Sequence, residues 1–176
     1  MTAFKSNEFT CLKELIGKQL DDIFLQPVAG LLSDVDMFVV NFGKNTNISL
    51  HIFSFFRVIR SGELLLTSTD CYFGKDYKGL TVEQEQGARQ NCFENTLLQS
   101  NIANVKNILK KSYVTNAYST DVGDVIIEFS NSVIMEIRID ALCHEYECYR
   151  LIVGQGEDNK HHVVTIMNGR LLYTVN

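Results

Sequence analysis

The sequence predicts an α+β fold made of two similar β-hairpin-rich halves, mainly antiparallel, with an amphipathic helical segment between them. Three observations carry that prediction. A hairpin pattern recurs at a fixed offset, apolar and polar residues alternate strictly in its second strand, and a helix-period stretch separates the two copies.

Phe38-Val-Val-Asn-Phe42 and Val125-Ile-Ile-Glu-Phe129 are short apolar runs. Each is followed six residues later by an alternating run, Ile48-Ser-Leu-His-Ile52 or Met135-Glu-Ile-Arg-Ile139. The offset is 87 residues throughout, setting Phe42 on Phe129, Ile48 on Met135, Leu50 on Ile137 and Ile52 on Ile139. Successive side chains on a strand point to opposite faces, so Ile48, Leu50 and Ile52 are expected inward with Ser49 and His51 outward. By the same rule Met135, Ile137 and Ile139 turn inward while Glu136 and Arg138 face out.

Gly43-Lys-Asn-Thr-Asn47 and Ser130-Asn-Ser132 lie between the paired runs and hold the residue types that accept tight-turn backbone angles. Each hairpin then continues into another apolar segment, Phe55–Ile59 or Tyr149–Val153, and a further strand, Glu63–Ser68 or His162–Met167. Upstream of each is a short element ending in strand-like sequence, Leu15–Leu25 or Ile108–Tyr118. The pattern defines pseudo-repeats over roughly residues 12–70 and 104–173 of one domain spanning 1–176.

The segment from 81 to 111 reads as helical. Thr81-Val-Glu-Gln84 fits a capping box, in which the Thr hydroxyl and the Gln side chain satisfy free amides at a helix start. Apolar residues continue at Cys92, Phe93, Leu97, Leu98, Ile102, Val105, Ile108 and Leu109, the three-and-four spacing of an amphipathic helix. A shorter helix is expected at Asn7–Ile16.

Composition narrows the function classes. A 176-residue chain with 45% hydrophobic and 21% charged residues can bury a sizeable core. Its net charge of −5 argues against general affinity for nucleic acid. The nearest basic run, Lys106, Lys110 and Lys111, fits the C-terminal turn of a helix. No apolar stretch approaches the ~18 residues of a membrane span, and the N-terminus lacks the pattern of a secretory signal, so a cytoplasmic location is expected. Five cysteines (Cys11, Cys71, Cys92, Cys143 and Cys148) make an odd number without a short-spaced pair, which suits free thiols.

The charge is regional. Residues 112–158 carry nine acidic side chains against two basic ones, Arg138 and Arg150, and the rest of the chain is slightly basic. A field of one sign steers a partner of the other sign. Asp140, Glu145 and Glu147 cluster near a loop between strands and are the expected rim of a partner-binding surface, the partner being basic.

The same cluster holds residue types suited to other chemistry. Cys143, His144, Cys148 and the His161-His162 pair are zinc-ligating types, but the two cysteines are five residues apart, longer than usual ligand spacing. Glu145 and Glu147 share a strand face, whereas the paired carboxylates of glycosidases come from separate segments. There is no nucleophile elbow, phosphate-cradling loop or His-Glu-x-x-His. The expectation is therefore no catalytic residue, no metal and no cofactor.

Gly123-Asp-Val-Ile-Ile-Glu-Phe-Ser-Asn131, Tyr146-Glu-Cys-Tyr149 and Val163-Val-Thr-Ile-Met-Asn-Gly-Arg-Leu171 together resemble a large, largely uncharacterised group of small bacterial β-rich repeat proteins. Tyr149, where that group usually has Trp, and Cys143 and Cys148 are departures from its pattern. The group is similar to the immunity proteins of contact-dependent and other polymorphic toxin systems. That resemblance implies a protein that binds and blocks one toxin, such as a nuclease. Alternatives left open by the residues are a structural or regulatory domain with an unassigned ligand, and a small hydrolase.

Overall fold

The computed structural model describes residues 2–3, 9–26, 37–44, 48–72, 97–139, 146–154, 159–167 and 170–176. After β1 (Thr2–Ala3) and a 3₁₀ turn (Thr10–Leu15) come β2 (Leu20–Gln26), β3 (Met37–Phe42), β4 (Ile48–Ile52), β5 (Phe55–Arg60) and β6 (Glu63–Thr67). A second 3₁₀ turn (Ser68–Tyr72) and helix α1 (Leu97–Leu109) precede β7 (Val114–Ser119), β8 (Val125–Phe129) and β9 (Val133–Arg138). The chain closes with β10 (Tyr146–Val153), β11 (Lys160–Met167) and β12 (Arg170–Val175). The fold is α+β, dominated by antiparallel sheet.

The strands form two sheets, one of seven in the order β1-β12-β11-β10-β4-β3-β2 and one of five in the order β6-β5-β9-β8-β7. Both expected hairpins are present, with Phe42 opposite Ile48 in the first and Ile127 opposite Met135 in the second. The strand after each hairpin crosses to the other sheet. After Ile52, the amides of Phe53 and Ser54 both donate to the Cys148 carbonyl, at 2.9 and 3.1 Å, and the chain turns away from β4. β5 then pairs with β9, Phe56 opposite Ile137, while β10 returns to pair with β4, Leu151 opposite Leu50.

The alternation in the sequence became burial. Ile48, Leu50, Ile52, Met135 and Ile137 are buried, and Phe42 and Phe129 lie in the same core, to which both sheets contribute. Fully burying side chains of this size contributes about 1.5–3 kcal/mol each relative to exposure. β2 and β7, the strands that precede the hairpins, each carry a register shift. It falls between Leu20 and Asp22 beside Phe42, and between Val114 and Asn116 beside Phe129.

Helix α1 buries Leu98, Ile102, Val105 and Leu109, a one-face pattern, and packs against β6, β2 and the Ser68–Tyr72 turn. It covers the C-terminal part of the expected 81–111 helix; Thr81–Gln84, Cys92 and Phe93 lie outside the described residues. At the N-terminus the expected helix is a 3₁₀ turn over Thr10–Leu15, with Leu12 and Leu15 buried three apart, the period of that tighter helix. Among the described residues no helix is long and apolar enough to cross a membrane.

Tyr149 joins the sheets. Its ring is buried against Phe9, edge-on at 5.7 Å, and its hydroxyl donates to the Gly123 carbonyl in the β7–β8 turn at 2.8 Å.

Candidate functional site

Strand β7 is the outermost strand of the five-stranded sheet. Its sequence, Val114-Thr-Asn-Ala-Tyr-Ser119, buries Val114 and Ala117 and exposes Thr115, Asn116 and Tyr118. One side pairs with β8. On the other, the Val114 end is closed: the Gly17 amide donates to the Val114 carbonyl and the Val114 amide to the Lys18 carbonyl, both at 2.8 Å. Among the described residues no strand lies beside Thr115–Tyr118 on that edge.

The strand lacks the usual guards of an open edge, having neither Lys nor Pro; the bulge at Thr115 is its only such device. Six large apolar or aromatic side chains are exposed among the described residues, and four lie along this edge or at its ends. They are Ile16 (46%), Tyr113 (49%), Tyr118 (43%) and Val122 (65%). Scattered exposed apolar residues are ordinary, but four of six gathered on or beside the ends of one unguarded strand are not. Sequence reasoning misses this edge because Thr, Asn and Ser make it look like solvated strand.

The expected acidic rim has a different character. Asp140 and Glu145 lie outside the described residues. Glu147 is on β10, with its side chain 24% exposed, and accepts two hydrogen bonds from Arg150, from Nε at 2.9 Å and Nη2 at 2.7 Å. Strict alternation would put residues three apart on opposite faces. The register shift between Glu147 and Tyr149 inserts Cys148 as an extra residue, which brings Glu147 and Arg150 to one face.

His51 sits opposite Arg150 on β4. It is half-buried rather than a free surface residue, and its pKa is lowered first by burial and then by Arg150, with His161 adding to this and Glu147 opposing it. Imidazole, guanidinium and carboxylate thus form a polar patch on the outer face of the larger sheet.

Two more carboxylates of the acidic segment are paired internally. Asp124 is buried and accepts from Arg138 Nη1 at 2.7 Å and from the Ile139 amide at 2.9 Å. Glu136 accepts from Arg57 Nε at 2.7 Å and Arg138 Nη2 at 3.0 Å. Burial pushes the Glu136 carboxyl up, and the two arginines outweigh it, leaving its pKa below the ordinary value. These ion pairs tie the outer face of the smaller sheet together, and Arg57 brings the acidic segment one positive charge from outside it.

The zinc-ligating types do not assemble among the described residues. Cys148 is buried at the bulge, His162 Nδ1 lies 2.6 Å from the Tyr173 hydroxyl, and Cys143 and His144 fall outside the described residues. No group of three or more metal-ligating side chains occurs among the described residues. Burial raises the Cys11 thiol to about 12, despite hydrogen bonds that include one with Tyr173.

Comparison with protein-family models, with curated proteins and with solved structures gave no match.

Proposed function

We propose that this chain is a non-catalytic binding protein that neutralises a specific bacterial toxin by occupying it, acting in the cytoplasm as an immunity protein. The observation that carries this reading is the β7 edge, open among the described residues over Thr115–Tyr118, with Ile16, Tyr113, Tyr118 and Val122 exposed along it or at its ends. An open edge binds an extended partner segment through main-chain hydrogen bonds, and flanking side chains give selectivity. Tyrosine is enriched at such interfaces because it combines apolar area with a polar tip. The resemblance of residues 123–131, 146–149 and 163–171 to immunity-type proteins points the same way.

The acidic residues Asp140, Glu145 and Glu147 then serve as a steering rim for a basic toxin, with Glu147 contributing through its pair with Arg150. The test is direct. Purified chain titrated into the product of the neighbouring gene should bind one-to-one and abolish its toxic activity. Unimpaired toxicity at saturating chain would contradict the reading.

We also infer that the two halves are copies of one unit, each giving three strands to one sheet and the following strands to the other. Several correspondences support this. The β4–β10 and β5–β9 pairings are equivalent exchanges, and the bulges beside Phe42 and Phe129 fall at matching places. The Gly43 amide donates to the Gln19 carbonyl as the Ser130 amide does to that of Tyr113. Expressing residues 1–72 and 97–176 separately and mixing them tests the exchange: folding on mixing supports it, and independent folding of each piece contradicts it.

A further inference from the structure

We propose that the cleft between the β3–β4 turn and the end of α1 binds a small phosphate-bearing anion. It has a volume of about 450 Å³. Lys44 enters from the turn, Lys106 and Asn107 from the helix, Lys110 from just past its end, and Asp21 from the start of β2. Lys110 lies one residue past Leu109, the end of α1, so it reaches the cleft from the turn that leaves the helix while Lys106 reaches it from the helix itself.

The three lysines are not equivalent. Lys106 is tied to Asp22 in an ion pair. Among the described residues, Lys44 and Lys110 have no ion-pair partner. Even after Asp21 is set against them the cleft keeps a positive excess, in a chain whose net charge is −5. Like charges facing a shared concave volume repel one another and concentrate positive potential there, and an anion relieves both effects. Ammonium groups are compact multi-donor charges suited to phosphate oxygens, and the Asn107 amide adds a neutral donor.

Size and charge choose the ligand class. A volume of this order suits a small molecule, and the acidic remainder of the chain repels an extended polyanion. The ligand is therefore a small phosphate ester or diphosphate rather than a nucleic acid. This site is independent of the β7 edge, so its failure would leave the toxin-binding reading untouched.

The test is a titration of isotope-labelled full-length chain with sodium pyrophosphate, followed by amide chemical shifts, with ionic strength held constant by sodium chloride. Saturable shifts confined to Gly43, Lys44, Asn107 and Lys110 are expected. Lys44→Gln and Lys110→Gln should each weaken binding about tenfold, the order of one charge-assisted hydrogen bond. Lys13→Gln should leave it unchanged, and preserved spectra would show that each variant folds. Linear drift without saturation, shifts spread over all lysines, or full affinity in the Lys44→Gln, Lys110→Gln double variant would overturn the proposal. Tighter binding of a short thymidine oligonucleotide at the same residues would overturn the choice of a small ligand.

Discussion

Gln19 and Tyr113 pair with each other in an isolated antiparallel bridge, and each carbonyl also accepts the amide that opens the turn after a hairpin's first strand. Those amides are Gly43 N–H and Ser130 N–H, both at 2.9 Å. The bridge joins the β2 end of one sheet to the β7 end of the other. Gly43 and Ser130 are therefore expected to exchange hydrogen through an opening common to both sheets. Native-state exchange checks this, and Gly43 exchanging far faster than Ser130 would contradict it.

The β7–β8 turn should be a point of high sensitivity, because Tyr149 and Leu171 both close on Gly123. Tyr149→Phe removes the hydroxyl that donates to the Gly123 carbonyl while keeping the buried ring. Loss of that bond should cost about 1–3 kcal/mol, since it strands a carbonyl beside an apolar neighbour. Gly123 itself has φ +88°, and a Cβ there would lie 2.6 Å from Leu171 Cδ1. Gly123→Ala should destabilise by about 1–2 kcal/mol from the backbone conformation alone, with the Leu171 shift adding to it. Urea denaturation measures both variants, and unchanged midpoints would show that the turn contributes nothing.

Much of the hairpin core was legible in the sequence, because alternation fixes which side chains share a face: Ile48, Leu50 and Ile52 are buried as their phase requires. The strand exchange was not. Alternation says nothing about which distant strand lies alongside, and the turn out of the sheet depends on Phe53 and Ser54 reaching the Cys148 carbonyl, a non-local bond. Charge counting does not reveal the pairing of Glu147 for a related reason. A bulge at Cys148 changes the local phase and gives the carboxylate to Arg150. The β7 edge was hidden because edge position belongs to the sheet and not to the strand's own residues.

Acid should destabilise the fold in two stages. His51 and His162 have lowered pKa values, each chiefly through burial, so the unfolded chain binds their protons first and stability falls as pH drops below about 6.5. Glu136, held low by Arg57 and Arg138 against its burial, contributes stability above its unfolded value. That contribution is lost as pH falls below about 4.3 through the folded value. Denaturation midpoints measured across this pH range check both stages. Glu136→Gln should flatten the second stage and leave the first, and an unchanged acid limb would remove this ion pair from the account.

Reversing Asp140, Glu145 and Glu147 to Lys should slow association with a basic toxin and flatten its salt dependence, because rim charges steer encounter. Glu147→Gln alone should have a small effect, since Arg150 already engages that carboxylate. Identical association rates at low and high salt for the triple variant and the parent would exclude this rim from the interface.

The central claim, that β7 offers its open edge to a protein partner, is tested most directly by hydrogen exchange of the chain alone and in complex with the product of the neighbouring gene. Slowed exchange at Thr115–Tyr118 is expected, and Tyr118→Lys should weaken the complex while Leu64→Lys, at an exposed site on β6, does not. A stable complex in which Thr115–Tyr118 exchange at their free rates and Tyr118→Lys binds as well as the parent would contradict it.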